Sequence, residues 1–389
     1  MEKRKLKVLQ LGKQYYPHIG GIEITMQQIA EGIQGDVDSY VLASQGKGRA
    51  YSKNINGVPV YYAKSWGIVS SLPISWDLVR YLRKHACEYD IIHLHMPFPL
   101  GDLGCLLSGF KGKLVLYWHS DIVRQKNMMI FYKPLMNWAL KRADAITIAT
   151  QGNIDGSPYI KPFEEKCTLI PFGLRKDWEE KSDKYWNLIN SGVDDQNGED
   201  GLRLLFIGRL VYYKGAEVLI DAMEKLNCQL NEDEMNKVSC RIIGTGVLER
   251  ELRDRVVNDG LENSIKFLGK VSDEVLEQEI EQCDVFVFPS VANSEAFGLV
   301  QLETMTYGKP VINTSLPTGV PWVSLDRKTG LTVPPEDPNA LKDAIVWMKD
   351  HKRERIEMGI KARERVKTEY SQEKMFERIL TLYHHLCEG

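Results

Sequence analysis

Short apolar runs separated by segments with helical spacing organise the first half of the chain. The run at 6–12 predicts an opening strand, and Ile22, Met26, Ile29 and Ile33 then recur at the interval of an amphipathic helix. Further strands are predicted at 37–43, 58–63, 91–95, 114–119, 145–149 and 168–171. Strands that alternate with helices in this way predict a parallel sheet with right-handed crossovers.

The second half repeats this alternation after a polar interruption. Residues 179–201 are acidic and rich in turn formers, so they predict an interdomain linker with a surface loop. Beyond them, strands are predicted at 202–208, 241–244, 265–269, 285–290 and 311–313, and helices at 216–226, 298–307 and 372–386. The fold class is therefore α/β, with two Rossmann-like domains that we expect to face a cleft at the carboxyl edges of their strands.

The length of 389 residues agrees with two domains. We expect an N-terminal domain at 1–178, a C-terminal domain at 200–370, and a terminal helix at 371–389 that crosses back to the first domain. The sequence has no apolar run of transmembrane length and no signal peptide pattern. Seven cysteines without a Cys-x-x-Cys pair favour a reducing compartment, so a cytoplasmic location is expected.

The net charge of −3 conceals an uneven distribution of charge along the chain. Residues 1–175 carry 22 Lys and Arg against 14 Asp and Glu, whereas residues 176–389 carry 28 against 39. A basic first half favours an anionic partner, such as a membrane surface that carries a lipid-linked acceptor. Solvated surface charge explains the same asymmetry equally well. A nucleic-acid partner is not expected.

The segment SEAFGLVQLE at 294–303 carries the most specific pattern, because it follows a buried strand and opens a helix. The amides of Gly298, Leu299 and Val300 would lack partners in the first helical turn, where a phosphate can bind them. Glu303 lies further along this helix and can accept hydrogen bonds from vicinal hydroxyls. Glu295 and the aromatic Phe297 precede the helix, from where Glu295 can reach a sugar hydroxyl.

Two cations follow the first strand of the second half. Arg209 comes directly after that strand, and Lys214 stands near the start of the next helix. Their charges can neutralise a diphosphate and stabilise it as it departs. Alone the pair is a weak pattern, but beside the 294–303 segment it predicts a diphosphate site.

Polar residues also follow strands of the first half. Gly20 and Gly21 lie in the loop after the opening strand and can bring backbone amides to a phosphate, although a plain turn explains them as well. His119 ends an apolar strand, and Asp121 follows it as a candidate on the acceptor side. The chain lacks a Gly-x-Gly-x-x-Gly fingerprint, so a nicotinamide dehydrogenase is disfavoured. His93 and His95 have no third ligand beside them, so no metal site is predicted.

These motifs resemble the large retaining glycosyltransferase family four, which has the GT-B fold. The resemblance runs through nearly the whole chain and is carried by PHIGGIE at 17–23, WHSD at 118–121, GRLVYYKG at 208–215, IIGTG at 242–246 and SEAFGLVQLE at 294–303. It implies metal-independent transfer of a sugar from a nucleoside diphosphate donor, with retention at the anomeric carbon and no cofactor. Within the family, the chain is similar to bacterial polysaccharide mannosyltransferases.

The resemblance also implies roles for individual residues. Arg209 and Lys214 would bind the donor phosphates, Glu303 the ribose and Glu295 the donor sugar. The Gly20–Gly21 turn would face the diphosphate, and His119 would lie beside the transferred sugar. The glycines of the IIGTG turn, Gly244 and Gly246, are expected to pass close to the nucleotide base.

One segment departs from the family pattern. The family often has Gly-Gly-x-Pro-Glu after the next strand, and here Thr318–Trp322 reads TGVPW, with Trp322 in place of the acid. The consequence of Trp322 for the donor pocket stays open. GDP-mannose is the first donor expected and a UDP-hexose the second, with a glycan or lipid-linked acceptor of surface polysaccharide or lipopolysaccharide. The alternatives are a GT-B phosphorylase that uses inorganic phosphate and a non-catalytic module that binds nucleotide sugars.

Overall fold

The computed structural model describes residues 4–18, 20–69, 72–121, 126–190, 201–235 and 237–388. The chain forms two compact units. The first runs to Gly173 and includes the chain from Gln372 onward, and the second comprises Leu174–Ser371.

The strands of the described residues number consecutively along the chain. They are β1 Lys7–Gly12, β2 Asp38–Ser44, β3 Tyr51–Ile55, β4 Val58–Ala63, β5 Ile68–Val69, β6 Leu72–Pro73, β7 Ile91–Met96, β8 Lys113–Trp118, β9 Ala145–Ile148, β10 Cys167–Leu169, β11 Leu202–Ile207, β12 Val238–Ile243, β13 Ile265–Gly269, β14 Val285–Phe288, β15 Val311–Thr314 and β16 Gly330–Val333.

The α-helices separate most of these strands. They are α1 Gly21–Gly32, α2 Trp76–His85, α3 Pro99–Ser108, α4 Lys126–Arg142, α5 Gln151–Asp155, α6 Lys176–Asn190, α7 Ala216–Gln229, α8 Glu232–Met235, α9 Glu249–Asn258, α10 Asp273–Gln282, α11 Leu299–Thr306, α12 Val320–Val323, α13 Pro338–Asp350, α14 Lys352–Glu369 and α15 Gln372–Glu388. None of the helices in these ranges combines the length and the apolar character needed to cross a bilayer.

The first unit is built on a sheet of eight strands in the order β10-β9-β8-β7-β1-β2-β4-β3. All neighbours pair in parallel except β3, which is antiparallel to β4. The central strands are continuous apolar runs because helices cover both faces of such a sheet. Helix α15 belongs to this unit, where the ring of Phe376 occupies the space that a Cβ on Gly32 would need.

The second unit has a parallel sheet in the order β13-β12-β11-β14-β15-β16. The chain leaves β11 towards β12 and β13 on one side, and later returns to β14 on the other side. The strand order therefore reverses between β11 and β14, and such a switch point is where open α/β sheets bind ligands at their carboxyl edge. Two parallel α/β units confirm the predicted fold class.

The predicted linker was wrong over its first part. Residues 176–190 form helix α6 of the second unit, and residues 191–200 lie outside the described residues. The helix has few aliphatic residues and packs through polar and aromatic ones: the Ser182 hydroxyl lies 3.1 Å from that of Thr306, and the Trp186 ring covers Gly308. The composition of this segment indicated a loop, because the polar and aromatic side of α6 can be recognised as a packing surface only from its contacts with α11.

Candidate donor-binding site

The loops that follow β11 and β14 meet at the switch point of the second unit. The loop after β11 carries Arg209 and Lys214, and the loop after β14 carries Glu295 and leads into α11. The amide of Val291 donates to the carbonyl of Tyr213 across 2.9 Å, which joins the two loops. The structure therefore brings together most of the donor-side residues that the sequence singled out.

Lys214 and Glu295 form a buried ion pair between these loops. The Lys214 ammonium contacts Glu295 Oε2, with 14% and 11% of the two side chains exposed. The ammonium also lies 5.0 Å from the ring centre of Phe288, and the Ser290 hydroxyl donates to Glu295 Oε2 across 3.4 Å. A buried ion pair is stabilising only when its geometry is good. The contacts with Phe288 and Ser290 keep the two charged groups in this geometry.

Arg209 lies on the more open side of the same loop. Its Nη2 donates to the Tyr213 hydroxyl across 2.5 Å, and its guanidinium lies 5.9 Å from the centre of the Tyr213 ring. Among the described residues, no carboxylate forms an ion pair with Arg209. Its charge is thus available for an anionic ligand, and its planar fork suits a phosphate.

Helix α11 begins one residue later than the sequence predicted. Gly298 is the N-cap in the left-handed region with φ of 79°, and a Cβ there would lie 2.5 Å from the Phe288 ring. No acceptor is found within the described residues for the amides of Leu299 and Val300. An uncapped helix start with two open amides is suited to bind an anion.

Glu303 lies on α11, one turn from its start. Burial raises its pKa to about 7, with a smaller lowering by Arg175 and smaller increases from Asp177 and Asp273. No hydrogen-bond donor to its carboxylate is found in the described part of the chain. The group is therefore poised to change charge near neutral pH, and it has free oxygens for ligand hydroxyls.

Two residues that the sequence analysis predicted as donor contacts, Phe297 and Gly244, have packing contacts in the second unit. The Phe297 ring is buried and packs edge-on against Tyr370, with ring centres 5.9 Å apart, and its carbonyl accepts from Gln301 Nε2 at 2.8 Å. Gly244 has φ of 130° and abuts the carbonyl of Gly208, so a Cβ there would overlap that carbonyl. Close packing of the two backbone segments is thus sufficient to explain why position 244 is a glycine.

Substitution of Gly244 tests this structural role. Gly244→Ala is expected to lower the free energy of unfolding by about 3 kcal/mol or more, since backbone strain and overlap with Gly208 add together. Gly260→Ala is the matched control, because φ there is 66° and nothing lies within 4 Å of the added methyl group. The control should cost about 1 kcal/mol in thermal or denaturant unfolding. Equal losses in the two variants would refute the packing explanation.

The two glycines of the predicted phosphate turn, Gly20 and Gly21, have an ordinary backbone. Gly20 is extended and caps α1, and Gly21 is the first residue of that helix with open space where a Cβ would be. Neither needs a positive φ, so any special role must come from close approach of a ligand. Ile19 of the same motif lies outside the described residues.

His119 and Asp121 follow β8, as predicted. His119 is 7% exposed, and its ring stacks on Tyr117 with centres 4.6 Å apart. Burial lowers the pKa of His119 to about 3, so its imidazole is neutral. Asp121 Oδ1 accepts from the indole of Trp118 at 3.0 Å and the hydroxyl of Ser157 at 2.7 Å. These bonds hold the Asp121 carboxylate against other residues of the first unit.

Sequence reasoning missed two basic residues. Lys13 follows β1, and burial lowers its pKa while Glu23 raises it; the same ammonium helps to lower the pKa of His119. In the second unit, Arg175 Nη2 donates to Asp177 at 2.9 Å, while its buried Nε has no acceptor among the described residues. The position of Lys13 directly after the first strand was the available signal, whereas nothing in the sequence placed Arg175 near Glu303.

The departure at Trp322 falls on the short helix α12. Its side chain is 43% exposed, while its carbonyl accepts from Arg365 Nη2 at 2.9 Å and from the Tyr370 hydroxyl at 3.0 Å. The indole therefore does not fill the interior. Within the described ranges, no group of three His, Cys, Asp or Glu side chains is arranged to hold a metal ion.

Comparisons with known proteins identify the family of the chain. The family described as "Glycosyl transferases group 1" matches residues 194–365, and "Glycosyltransferase Family 4" matches residues 19–153. The D-rhamnosyltransferase WbpZ of Pseudomonas aeruginosa is 32% identical over 92% of this chain and 91% of its own length. The O-antigen chain mannosyltransferase C of Escherichia coli is 30% identical over 99% of this chain and 100% of its own length.

Solved structures show the same fold. The crystal structure of Anabaena HepE in complex with UDP superposes with a TM-score of 0.74 and 19% identity, covering 98% of this chain and 100% of that one. The match at this level of identity concerns the fold, and the sequence relatives supply the family. The chain belongs to glycosyltransferase family four and has the GT-B fold.

Proposed function

We propose that this protein is a metal-independent, retaining glycosyltransferase that moves a hexose from a nucleoside diphosphate donor to a glycan or lipid-linked acceptor in surface polysaccharide synthesis. The observation that carries the proposal is the grouping of Arg209, Lys214 and the open start of α11 at one switch point. GDP-mannose is the first donor we propose, since one relative is an O-antigen chain mannosyltransferase. A UDP-hexose is second, since HepE was crystallised with UDP.

The chemical argument rests on where charge develops. As the sugar–phosphate bond breaks, negative charge grows on the departing diphosphate, and fixed cations and amides are most useful there. Arg209, Lys214 and the amides of Leu299 and Val300 are the groups proposed to meet that charge. Two protein cations can take the role that a divalent ion has in other transferases, which is why no metal is included in the proposal.

Retention follows in this proposal from attack on the face that the diphosphate leaves. The departing phosphate oxygen accepts the proton of the acceptor hydroxyl, while that hydroxyl oxygen bonds to the anomeric carbon. Glu295 is assigned to the donor sugar and Glu303 to the ribose hydroxyls. The neutral imidazole of His119 hydrogen-bonds a hydroxyl of the transferred sugar, and no proton transfer is assigned to it.

The acceptor is proposed to meet the first unit, which carries the basic half of the chain. Residues 1–175 hold an excess of eight positive charges, since 22 Lys and Arg face 14 Asp and Glu. Such a surface attracts a lipid-linked, anionic acceptor and the membrane that contains it. Peripheral attachment at the inner face of the membrane is part of this proposal.

Binding of a nucleotide-sugar panel tests the proposed function. GDP-mannose, UDP-glucose and NAD would each be added to the full chain in EDTA, followed by thermal unfolding and then by donor hydrolysis. We expect GDP-mannose at a hundredfold excess over its Kd to stabilise the fold by about 2.7 kcal/mol, and NAD to have no effect. Stabilisation that appears only with added Mg²⁺ would refute metal independence, and turnover only with inorganic phosphate would favour a phosphorylase.

A further inference from the structure

A continuous chain of hydrogen bonds runs through the core of the first unit from His119 to the C-terminal helix. All of its side chains except that of His119 are at most 1% exposed. The chain passes in order through His119, His95, Gln10, Tyr383, His93 and Thr147.

The first half of the chain connects the strand end to α15. His119 Nε2 lies 2.8 Å from His95 Nδ1, and His95 Nε2 lies 3.1 Å from Gln10 Oε1. The Gln10 amide then donates to the Tyr383 hydroxyl across 3.1 Å. Strands β1 and β7, the residue that follows β8, and the terminal helix thus contribute one polar group each.

The second half ends on the backbone. The Tyr383 hydroxyl lies 2.6 Å from His93 Nδ1, and His93 Nε2 lies 3.4 Å from the Thr147 hydroxyl. Thr147 Oγ1 donates to the carbonyl of Leu116 across 3.3 Å. A carbonyl can only accept, so this last bond sets a direction for the whole chain.

The direction follows from counting protons. The Thr147 hydroxyl donates to the Leu116 carbonyl, so the Thr147 oxygen accepts a hydrogen bond from His93 Nε2–H. A neutral His93 then has no hydrogen on Nδ1, and this nitrogen accepts a hydrogen bond from the Tyr383 hydroxyl. The Tyr383 oxygen accepts from the Gln10 amide, whose oxygen is left for His95 Nε2–H. His95 Nδ1 therefore accepts, and only His119 Nε2–H can supply that proton.

The count requires neutral histidines, and burial provides them. Burial lowers the pKa of His93 and of His119 to about 3 each, and it lowers the pKa of His95 well below its ordinary value. Each ring therefore carries one proton at neutral pH. His119 Nδ1 has no hydrogen-bond partner among the described residues and is not one of their buried, unpartnered atoms.

We infer that Tyr383 is a positioning residue, which acts through Gln10 and His95 to hold His119 in the tautomer with hydrogen on Nε2 and a bare Nδ1. The inference rests on the proposed function and adds a specificity to it. A bare imidazole nitrogen accepts hydrogen bonds and repels the lone pairs of a carboxylate. The group of the sugar that faces His119 is therefore a hydroxyl that donates its proton, rather than the carboxylate of a uronic acid.

The tautomer can be measured directly by nitrogen-15 NMR on the full chain without substrate. The His119 resonances are assigned by their loss in His119→Gln. We expect an unprotonated Nδ1 and a protonated Nε2 in the wild-type protein. A protonated Nδ1 in the wild-type protein would overturn the inference.

Tyr383→Phe removes the hydroxyl that links Gln10 to His93 and keeps the ring. The Gln10 amide is then free to turn over, so we expect His119 to sample both tautomers and its nitrogen shifts to average. Sugar transfer should lose about fivefold in kcat/KM, mainly through a higher donor KM, as expected for one weakened hydrogen bond.

Tyr117→Phe is the matched control. Tyr117 is also fully buried and stacks on His93 and His119, but its hydroxyl donates to the carbonyl of Ile170 at 3.0 Å, outside the chain. The control should keep the wild-type tautomer. The same shift change in both variants would overturn the role of Tyr383. If His119 has the expected tautomer but the protein transfers no sugar, the proposed function alone is refuted. If the protein transfers sugar but His119 has the opposite tautomer, this inference alone is refuted.

Discussion

Replacing Lys214 by alanine is expected to slow sugar transfer at saturating donor by about 10²- to 10³-fold, the usual loss when one fixed stabilising group is removed from a site of developing charge. The ammonium is held in place by Glu295 and by the Phe288 ring, so it can stabilise the departing diphosphate without prior rearrangement. The measurement is the initial rate of transfer at several donor concentrations. An unchanged rate at saturating donor would reject the assigned role.

Controls must separate this effect from loss of stability. Lys214→Ala leaves Glu295 buried without its partner, which costs about 3–5 kcal/mol for a pair of this kind. The double variant Lys214→Ala, Glu295→Gln removes the unpaired charge, so its unfolding should approach that of the wild type while transfer stays slow. Lys270→Ala removes an exposed lysine of the same unit and should change neither property.

Removing the charge of Glu303 is expected to have the second large effect, which is on nucleotide binding. Glu303→Gln is expected to weaken GDP binding by about 30-fold, because hydrogen bonds to a charged acceptor contribute more than bonds to a neutral one. Binding by the wild type should tighten as the pH rises through about 7, where the Glu303 carboxyl loses its proton. The variant should show no such dependence. Isothermal titration between pH 6 and 8 measures both, and a wild type without a pH dependence would contradict the assignment.

The same pKa predicts the sign of a stability change. The ordinary value is 4.5 and the folded value about 7, so between these pH values the folded state holds a proton that the unfolded state has lost. Stability contributed by Glu303 therefore falls as the pH rises through that window. Asp273→Asn removes a like charge that raises the pKa of Glu303, so the midpoint of the binding curve should move to lower pH. A midpoint that stays in place would show that Asp273 does not act on this carboxyl.

Local patterns predicted most of the regular elements. The run at 202–208 became β11 Leu202–Ile207, and the predicted helix at 298–307 became α11 Leu299–Thr306. These elements can be recognised from the sequence because the spacing of apolar residues and the positions of glycines are local signals that extend over only a few residues. The missed elements have different causes. β3 Tyr51–Ile55 is an exposed edge strand with a mostly polar sequence, and α6 buries polar and aromatic side chains against α11.

The sequence by itself determined the two α/β halves, the family and the residue types of the candidate donor site, because each depends on short motifs at the ends of apolar strands. Only the tertiary structure decided that Lys214 pairs with Glu295, that Gly244 abuts Gly208, and that Tyr383 reaches His93. Residues 93 and 383 are far apart along the chain, and no local pattern relates them. Their contact exists because α15 packs into the first unit, and this packing determines the partners and charge state of the buried groups.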